Sequence, residues 1–316
     1  KQQRLLSCCL LVLIGAAGFY HYQPAVWQKY GVEVKFWNQL QGYQENGAFL
    51  SFVLNSKYLV PQAPEGYTPI KAAELWAEKE HQDKQPQSVD QEKPHIIMVM
   101  NESYADLSVL GQLQTSEPYL ESYTNLRENV TKGNLYVSVL GGGTCNSEFE
   151  ALTGHSMAFL PPGVMPYQQY IKEEQFSLAT VLKSQGYETI AFHPGKADSW
   201  CREQVYPILG FERFVTKKDM AEVQLMRDAY ADDSCNYREL IRLYEQRGEK
   251  KLFLFNVTIQ NHGGYQLQAP DLPHQVEVVG EGNYPQAEQY LSLMKSSDDA
   301  LAELLAYFAQ EEEPVL

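Results

Sequence analysis

The chain has 316 residues, of which 44% are hydrophobic, enough for one large domain with appendages. Its formal charge is 25 − 40 = −15, which excludes nucleic acid as an expected partner, because a phosphate backbone calls for a basic surface. An anionic substrate stays possible if the site itself is made positive by a metal ion or an Arg/His cluster.

Residues Leu5 to Tyr20 form an uncharged run, preceded by Lys1 and Arg4 and followed by Tyr22 and Trp27. The aromatic flank resembles an interfacial belt, so residues 1–22 are expected to be a transmembrane segment, the last of several. A signal peptide cleaved near Ala16-Ala17-Gly18 is the alternative. The chain begins at Lys, and it reads as a piece of a longer protein. Under either reading the residues that follow lie outside the cytoplasm, because basic flanks stay inside.

Residues 23–92 are expected to be juxtamembrane helices and a linker. The first part is rich in aromatics (Tyr30, Phe36, Trp37, Tyr43, Phe49, Phe52, Tyr58), whereas residues 77–94 are polar, charged and without period. From residue 93 the pattern alternates. Short apolar runs at 95–100 (HIIMVM), 135–140 (LYVSVL), 187–192 (YETIAF) and 252–259 (LFLFNVTI) predict buried parallel strands. Helical stretches fall at 147–152, 178–184, 202–209, 237–245 and about 286–309. Strands alternating with helices predict an α/β fold with a mainly parallel central sheet flanked by helices.

Each predicted strand is followed by reactive side chains. Asn101 and Glu102 follow the first. Gly141-Gly142-Gly143-Thr144 follows the second. His193, then Trp200 and Arg202, follow the third, and Gln260, Asn261 and His262 the fourth. The carboxyl edge of an open α/β sheet is where ligands bind. A Gly-rich turn opening a helix at Thr144 suits a phosphate, since free N–H groups and the dipole favour an anion. Taken singly, each of these residues has a plainer reading. Thr144 can be a helix cap, Glu102 a solvated strand end, and Arg202 the partner of a carboxylate; His155 is expected in a structural or loop position. The acidic tail Glu311–Glu313 reads as a solvated face.

The segments NES at 101–103, GGGTCNSEFEALTGHSMAFLPPG, FHPGKADSWCREQVY, TIQNHGGY and YLSLMKSSDDAL resemble the lipoteichoic acid synthase family, whose catalytic domain has the sulfatase/alkaline-phosphatase fold. The resemblance implies a catalytic domain over residues 93–316, with Thr144 as nucleophile and metal ligand and Glu102 as metal ligand. His193, Trp200, Arg202 and His262 would hold the glycerophosphate group. It implies one divalent metal, Mn²⁺ or else Mg²⁺. The donor would be membrane phosphatidylglycerol, the acceptor a growing glycerophosphate polymer, and the location the cell membrane with an extracellular catalytic domain. Cys145 lacks the C/S-x-P-x-R setting of a formylglycine precursor. The family's further Asp-His metal pair would lie beyond Leu316, so the catalytic domain reads as truncated at its C-terminus, and the chain alone is expected to be inactive. Competing readings are a phosphoethanolamine transferase, a phosphodiesterase, a sulfatase, or a non-catalytic binder of anionic envelope polymer. In an oxidising compartment Cys201 is expected to pair with Cys145 or Cys235.

Overall fold

The structure is a computed structural model. It describes residues 2–21, 23–32, 34, 39–56, 63, 65–82, 92–139, 142–161, 163–227, 230–265 and 272–316. Two compact units partition the chain, one of residues 1–81 and 156–165, the other of residues 82–155 and 166–316.

The first unit is helical: α1 (Gln2–His21), α2 (Pro24–Lys29), α3 (Gln39–Asn46), α4 (Ala48–Ser56) and most of α5 (Pro69–Gln82). The expected membrane segment is thus a helix, but among the described residues no helix is long and apolar enough to cross a membrane. The physical reason is length. The uncharged run of 16 residues spans about 24 Å at the α-helical rise, against a hydrocarbon core of about 30 Å. Helix α5 also replaces the first part of the predicted linker. Residues 83–91, Phe36, Trp37 and Tyr58 lie outside the described residues. Within this unit α4 is tied to α3 by the Ser51 hydroxyl, which donates to the Gly42 carbonyl at 3.1 Å.

The second unit is the predicted α/β layer. Its strands are β1 (Ile96–Met100), β2 (Glu188–His193), β3 (Arg213–Thr216), the short pair β4 (Leu225–Met226) and β5 (Tyr230–Ala231), and β6 (Leu252–Val257). Its helices are α6 (Glu121–Asn125), α7 (Thr144–Thr153), α8 (Pro166–Gln169), α9 (Leu178–Ser184), α10 (Arg202–Ile208), α11 (Asp233–Glu245) and α12 (Pro285–Phe308). The main sheet runs β1-β6-β2-β3 with every pairing parallel. The central strand β6 is buried along its whole length, as a parallel strand covered on both faces must be. Ile190, Phe192, Leu252 and Leu254 pack against Leu240, Leu243 and Tyr244 of α11 and Ala300 and Leu304 of α12. Phe211 stacks on Phe253 and Phe255.

One predicted strand is missing. Residues 135–139 of LYVSVL form no strand, with Leu135 and Tyr136 87% and 90% exposed; Leu140 lies outside the described residues. Both edges of β6 are taken by β1 and β2, and the other edge of β1 pairs with residues 314–316. The run pairs with none of the described strands, and a short apolar run alone does not distinguish a strand from exposed chain. Strand β3, by contrast, was not predicted, because RFVT is too short and too polar to signal one.

The acidic tail is likewise not simply solvated. Glu313 accepts from His95 Nε2 at 2.9 Å and Lys251 Nζ at 2.6 Å, and Glu311 accepts from the Tyr244 hydroxyl at 3.0 Å. His95 Nδ1 accepts the Leu252 N–H, which fixes its proton on Nε2 and aims it at Glu313. These contacts depress the Glu313 carboxyl to about 2, with Lys251 the first cause and His95 the second. All five cysteines are free thiols, so the expected Cys201 disulfide is absent. Burial pushes the Cys145 and Cys235 thiols up to about 12, which leaves them inert.

Candidate active site

Three of the four sheet strands deliver predicted site residues at their carboxyl ends. Glu102 lies two residues past β1, His193 ends β2, and His262 follows β6. Thr144 comes to the same edge from the first turn of α7 rather than from a strand. Gly143 caps that helix in the left-handed region (φ 73°), a conformation that costs glycine little; Gly141 lies outside the described residues. The Thr144 hydroxyl donates to Glu102 Oε2 at 3.2 Å, so two residues 42 positions apart meet. Both are half-buried.

The Glu102 backbone is pinned from beneath. Its N–H donates to the Thr258 hydroxyl at 3.0 Å, and Thr258 is fully buried and bonded in turn to the Asp233 carboxylate. Asp233 also accepts from the Ser297 hydroxyl, and its N–H donates to Gln260 at 2.8 Å. Burial raises the Asp233 carboxyl to about 7, and its Oδ1 has no hydrogen-bond partner among the described residues. Neither Thr258 nor Asp233 was singled out from sequence. The only trace is that Thr258 directly follows the β6 run and that Asp233 opens the α11 pattern.

His193 is 4% exposed. Its Nδ1–H donates to the Val257 carbonyl at 2.8 Å, which leaves Nε2 as the bare nitrogen. Desolvation first, and the Arg202 charge second, hold its pKa down at about 4, so the ring is neutral at physiological pH. Gly195 fits over it closely: a Cβ there would lie 2.3 Å from His193 Nε2.

Arg202 is placed differently from the phosphate-holding expectation. It is 2% exposed, and its Nε donates to Glu148 Oε1 and Oε2 at 3.1 and 3.2 Å, with Nη2 on the same carboxylate. The Tyr206 hydroxyl completes the cage at 2.7 Å from Glu148 Oε2. The plainer reading, a guanidinium paired with a carboxylate, describes this geometry. Sequence alone gives Glu148 no role, although it stands four residues after Thr144, one helical turn further along the same face.

Trp200 and His262 lie in the segments that follow β2 and β6. Trp200 is half-buried and Cys201 follows it, both in the left-handed region (φ 58° and 60°). Ser103 and Arg227 share that conformation at φ 49° and 53°. Non-glycine residues held there carry backbone strain, and of the five among the described residues, Trp200 is a predicted site residue, Ser103 and Cys201 adjoin predicted ones, and Arg227 bonds the His262 carbonyl. His262 is exposed and lies tilted on Tyr230, whose hydroxyl is 3.3 Å from Nδ1. Arg227 Nη2 donates to the Gln260 and His262 carbonyls and fixes the loop after β6. His155, as expected, is structural: it stacks on Phe149.

The donor set fits part of a site for a hard divalent cation. A carboxylate and a hydroxyl 3.2 Å apart are the oxygen ligands such a cation prefers. Among the described residues, however, no group of three His, Cys, Asp or Glu side chains could hold a metal ion.

A parallel sheet with these groups at its carboxyl edge defines an α/β protein with its candidate site at that edge. The chain belongs to the sulfatase family, whose sequence profile matches residues 94–316. It is 34% identical over 281 residues to a putative cyclic beta-1,2-glucan modification protein of Rhizobium meliloti, covering 85% of this chain and 41% of that protein. It is 22% identical over 223 residues to lipoteichoic acid synthase of Staphylococcus aureus, covering 67% of this chain and 33% of that protein. The chain therefore spans less than half the length of these relatives. Among solved structures, the phosphoglycerol transferase GacH of Streptococcus pyogenes, in complex with sn-glycerol-1-phosphate, superposes with a TM-score of 0.66 at 22% identity, over 81% of this chain and 68% of that one. The lipoteichoic acid synthase LtaP of Listeria monocytogenes gives 0.58 at 16% identity, over 69% and 52%. These likenesses establish the fold.

Proposed function

We propose that the chain carries the catalytic edge of a metal-dependent phosphotransferase that moves glycerophosphate from phosphatidylglycerol to an acceptor through Thr144. The observation that carries this is the Thr144 hydroxyl on Glu102 at the carboxyl edge of the sheet. Glu102 and Thr144 would be two of the ligands of a divalent cation, Mn²⁺ or Mg²⁺, which supplies Lewis acidity when bound. The Thr144 oxygen attacks phosphorus, an Oγ–P bond forms, and the P–O bond to diacylglycerol breaks. The hydroxyl proton passes to Glu102, and the departing diacylglycerol oxygen takes one from solvent. An acceptor hydroxyl then displaces Thr144. Neutral His193 presents Nε2 as an acceptor, while Trp200 and His262 border the path. The Arg202–Glu148 pair positions α7 under Thr144.

The acceptor has two readings. A glycerophosphate chain matches the lipoteichoic acid synthase relatives. A glucan hydroxyl is favoured by a higher identity, 34% over 85% of this chain, with a relative named for glucan modification. The domain boundaries at residues 22 and 92, placement at the cell membrane and an extracellular catalytic edge belong to the same proposal. The test is to incubate the full-length protein with phosphatidylglycerol and Mn²⁺ and to map adducts by mass spectrometry. A glycerophosphoryl group on Thr144 supports the reading; an adduct elsewhere, or none, sinks it. Adding a glucan or a polyglycerophosphate then shows which acceptor clears the adduct.

A further inference from the structure

A second hydrophobic cluster lies apart from the main core. It includes Tyr119, Tyr290, Leu291 and Met294, with Leu107 and Tyr265 packed against it. On it opens a cavity of about 420 Å³ lined by Ser103, Ala105, Leu107, Tyr265, Ala287 and Tyr290, with Gln286 at its wall. Its volume is in the range of small-ligand sites. Among the described residues, no charged side chain lines it.

Two features say what it accepts. First, its phenols are spent on the backbone. The Tyr290 hydroxyl donates to the Ser103 carbonyl at 2.8 Å and accepts the Ala105 N–H at 3.2 Å. The Tyr265 hydroxyl donates to the Asn261 carbonyl at 2.7 Å. These tyrosines therefore offer the cavity ring carbon rather than hydroxyl donors, which suits an alkyl ester and poorly serves a polyol or a phosphate. Second, its Ser103 wall adjoins the reacting pair: the Ser103 hydroxyl donates to Glu102 Oε1 at 3.1 Å, and Thr144 donates to the other oxygen of that carboxylate.

We infer that this cavity is the subsite for the neutral acyl-glycerol part of the donor lipid, holding the ester stems and first methylenes of the leaving group while the phosphoryl group faces Thr144. The inference rests on the proposed phosphotransfer, and it assigns one side of the site to the leaving group. The acceptor would then approach from elsewhere on the edge.

The test uses the whole chain and diacylglycerols whose two acyl chains have four, six or eight carbons, with binding followed by titration calorimetry or tyrosine fluorescence. Binding does not need the nucleophile, so Thr144→Ala is expected to bind as the unsubstituted chain does. Affinity should rise about fourfold per buried methylene and then level off as the chains leave the cavity. Ala287→Trp, which fills the cavity, should weaken binding at least tenfold. An affinity indifferent to chain length overturns the inference, as does displacement of the ester by a soluble glucan oligosaccharide or unchanged binding to Ala287→Trp. Should Ala287→Trp not fold, the chain-length series on the unsubstituted chain decides alone. With phosphatidylglycerols of the same three chain lengths as donors, a Thr144 adduct formed without chain-length preference sinks the subsite and leaves the phosphotransfer standing. Ester binding with no adduct on Thr144 does the reverse.

Discussion

Helix α7 carries two polar pairs one turn apart, and they contrast in every physical respect. Thr144 with Glu102 is half-buried and joined by one hydrogen bond of 3.2 Å. Glu148 with Arg202 is sealed from water, shares several charge-assisted bonds and is capped by Tyr206. A buried ion pair has lost its hydration and holds its geometry tightly, so it is suited to position rather than react. A half-buried hydroxyl on a carboxylate keeps room for a substrate. The helix thus separates the tasks along its length, with the reacting group in its first turn and its anchor in the second.

The largest expected effect falls on the open pair. Thr144→Ala should abolish transfer and adduct formation while changing unfolding free energy by only about 1 kcal/mol, one hydrogen bond's worth. Chemical denaturation and adduct mapping on the same preparation check both halves; residual transfer at the normal rate would remove Thr144 from the nucleophile role. Next comes the sealed pair. Arg202→Ala should cost about 3–5 kcal/mol, because it leaves Glu148 buried and uncompensated. Arg202→Met with Glu148→Leu should recover most of that stability. Equal losses in the single and double variants would show that the charge pair is not what matters there.

A third effect is a pH signature of the buried groups. His193, held at about 4, binds its proton less readily when folded, so its contribution is lost as pH falls from about 6.5 toward 4. Asp233, held at about 7, binds its proton more readily when folded, so its contribution is lost as pH rises from about 3.8 toward 7. Between these limits each folded and unfolded state carries one proton on the two groups, and their slopes cancel. Asp233→Asn removes one side. Its stability should then fall by about 3 kcal/mol more than that of the unsubstituted chain between pH 6.5 and 4. Parallel pH profiles would mean that Asp233 is ionised in the folded protein.

Much of the scaffold was legible in the sequence because its signals are strong and local. LFLFNV and ETIAFH are mainly apolar segments of strand length, and the helical pattern at 178–184 matches α9, which Ser177 opens with a capping box. The site was legible where reactive side chains directly follow such runs, as with Glu102 and His193. It was not legible where a contact joins distant segments. Nothing in SEFEAL announces that Glu148 would close on Arg202, 54 residues later, and a guanidinium at W-x-R reads equally as a substrate ligand. LYVSVL failed for the opposite reason: its local signal is good, but a short apolar run alone does not distinguish a strand from exposed chain. The Thr258–Asp233 support was invisible because a Thr after a strand and a pair of Asp before a helix both read as ordinary element ends.

That support makes the smallest and sharpest expected difference. The Thr258 hydroxyl receives the Glu102 N–H and donates its own hydrogen bond to Asp233. Thr258→Val keeps the branched shape in a fully buried position but removes both bonds, leaving the Glu102 N–H without its partner and the Asp233 carboxylate with one donor fewer. A buried donor so orphaned costs about 1–3 kcal/mol. Thr258→Ser keeps the hydroxyl and loses one methyl, at a cost of about 1 kcal/mol. If the buried network holds the open pair in place, Thr258→Val should also slow adduct formation on Thr144, whereas Thr258→Ser should leave it near normal. The comparison is made by urea unfolding and single-turnover adduct kinetics on the two variants. Equal slowing in both would trace the effect to packing around β6, and equal rates in both would show that Glu102 keeps its place without help from below.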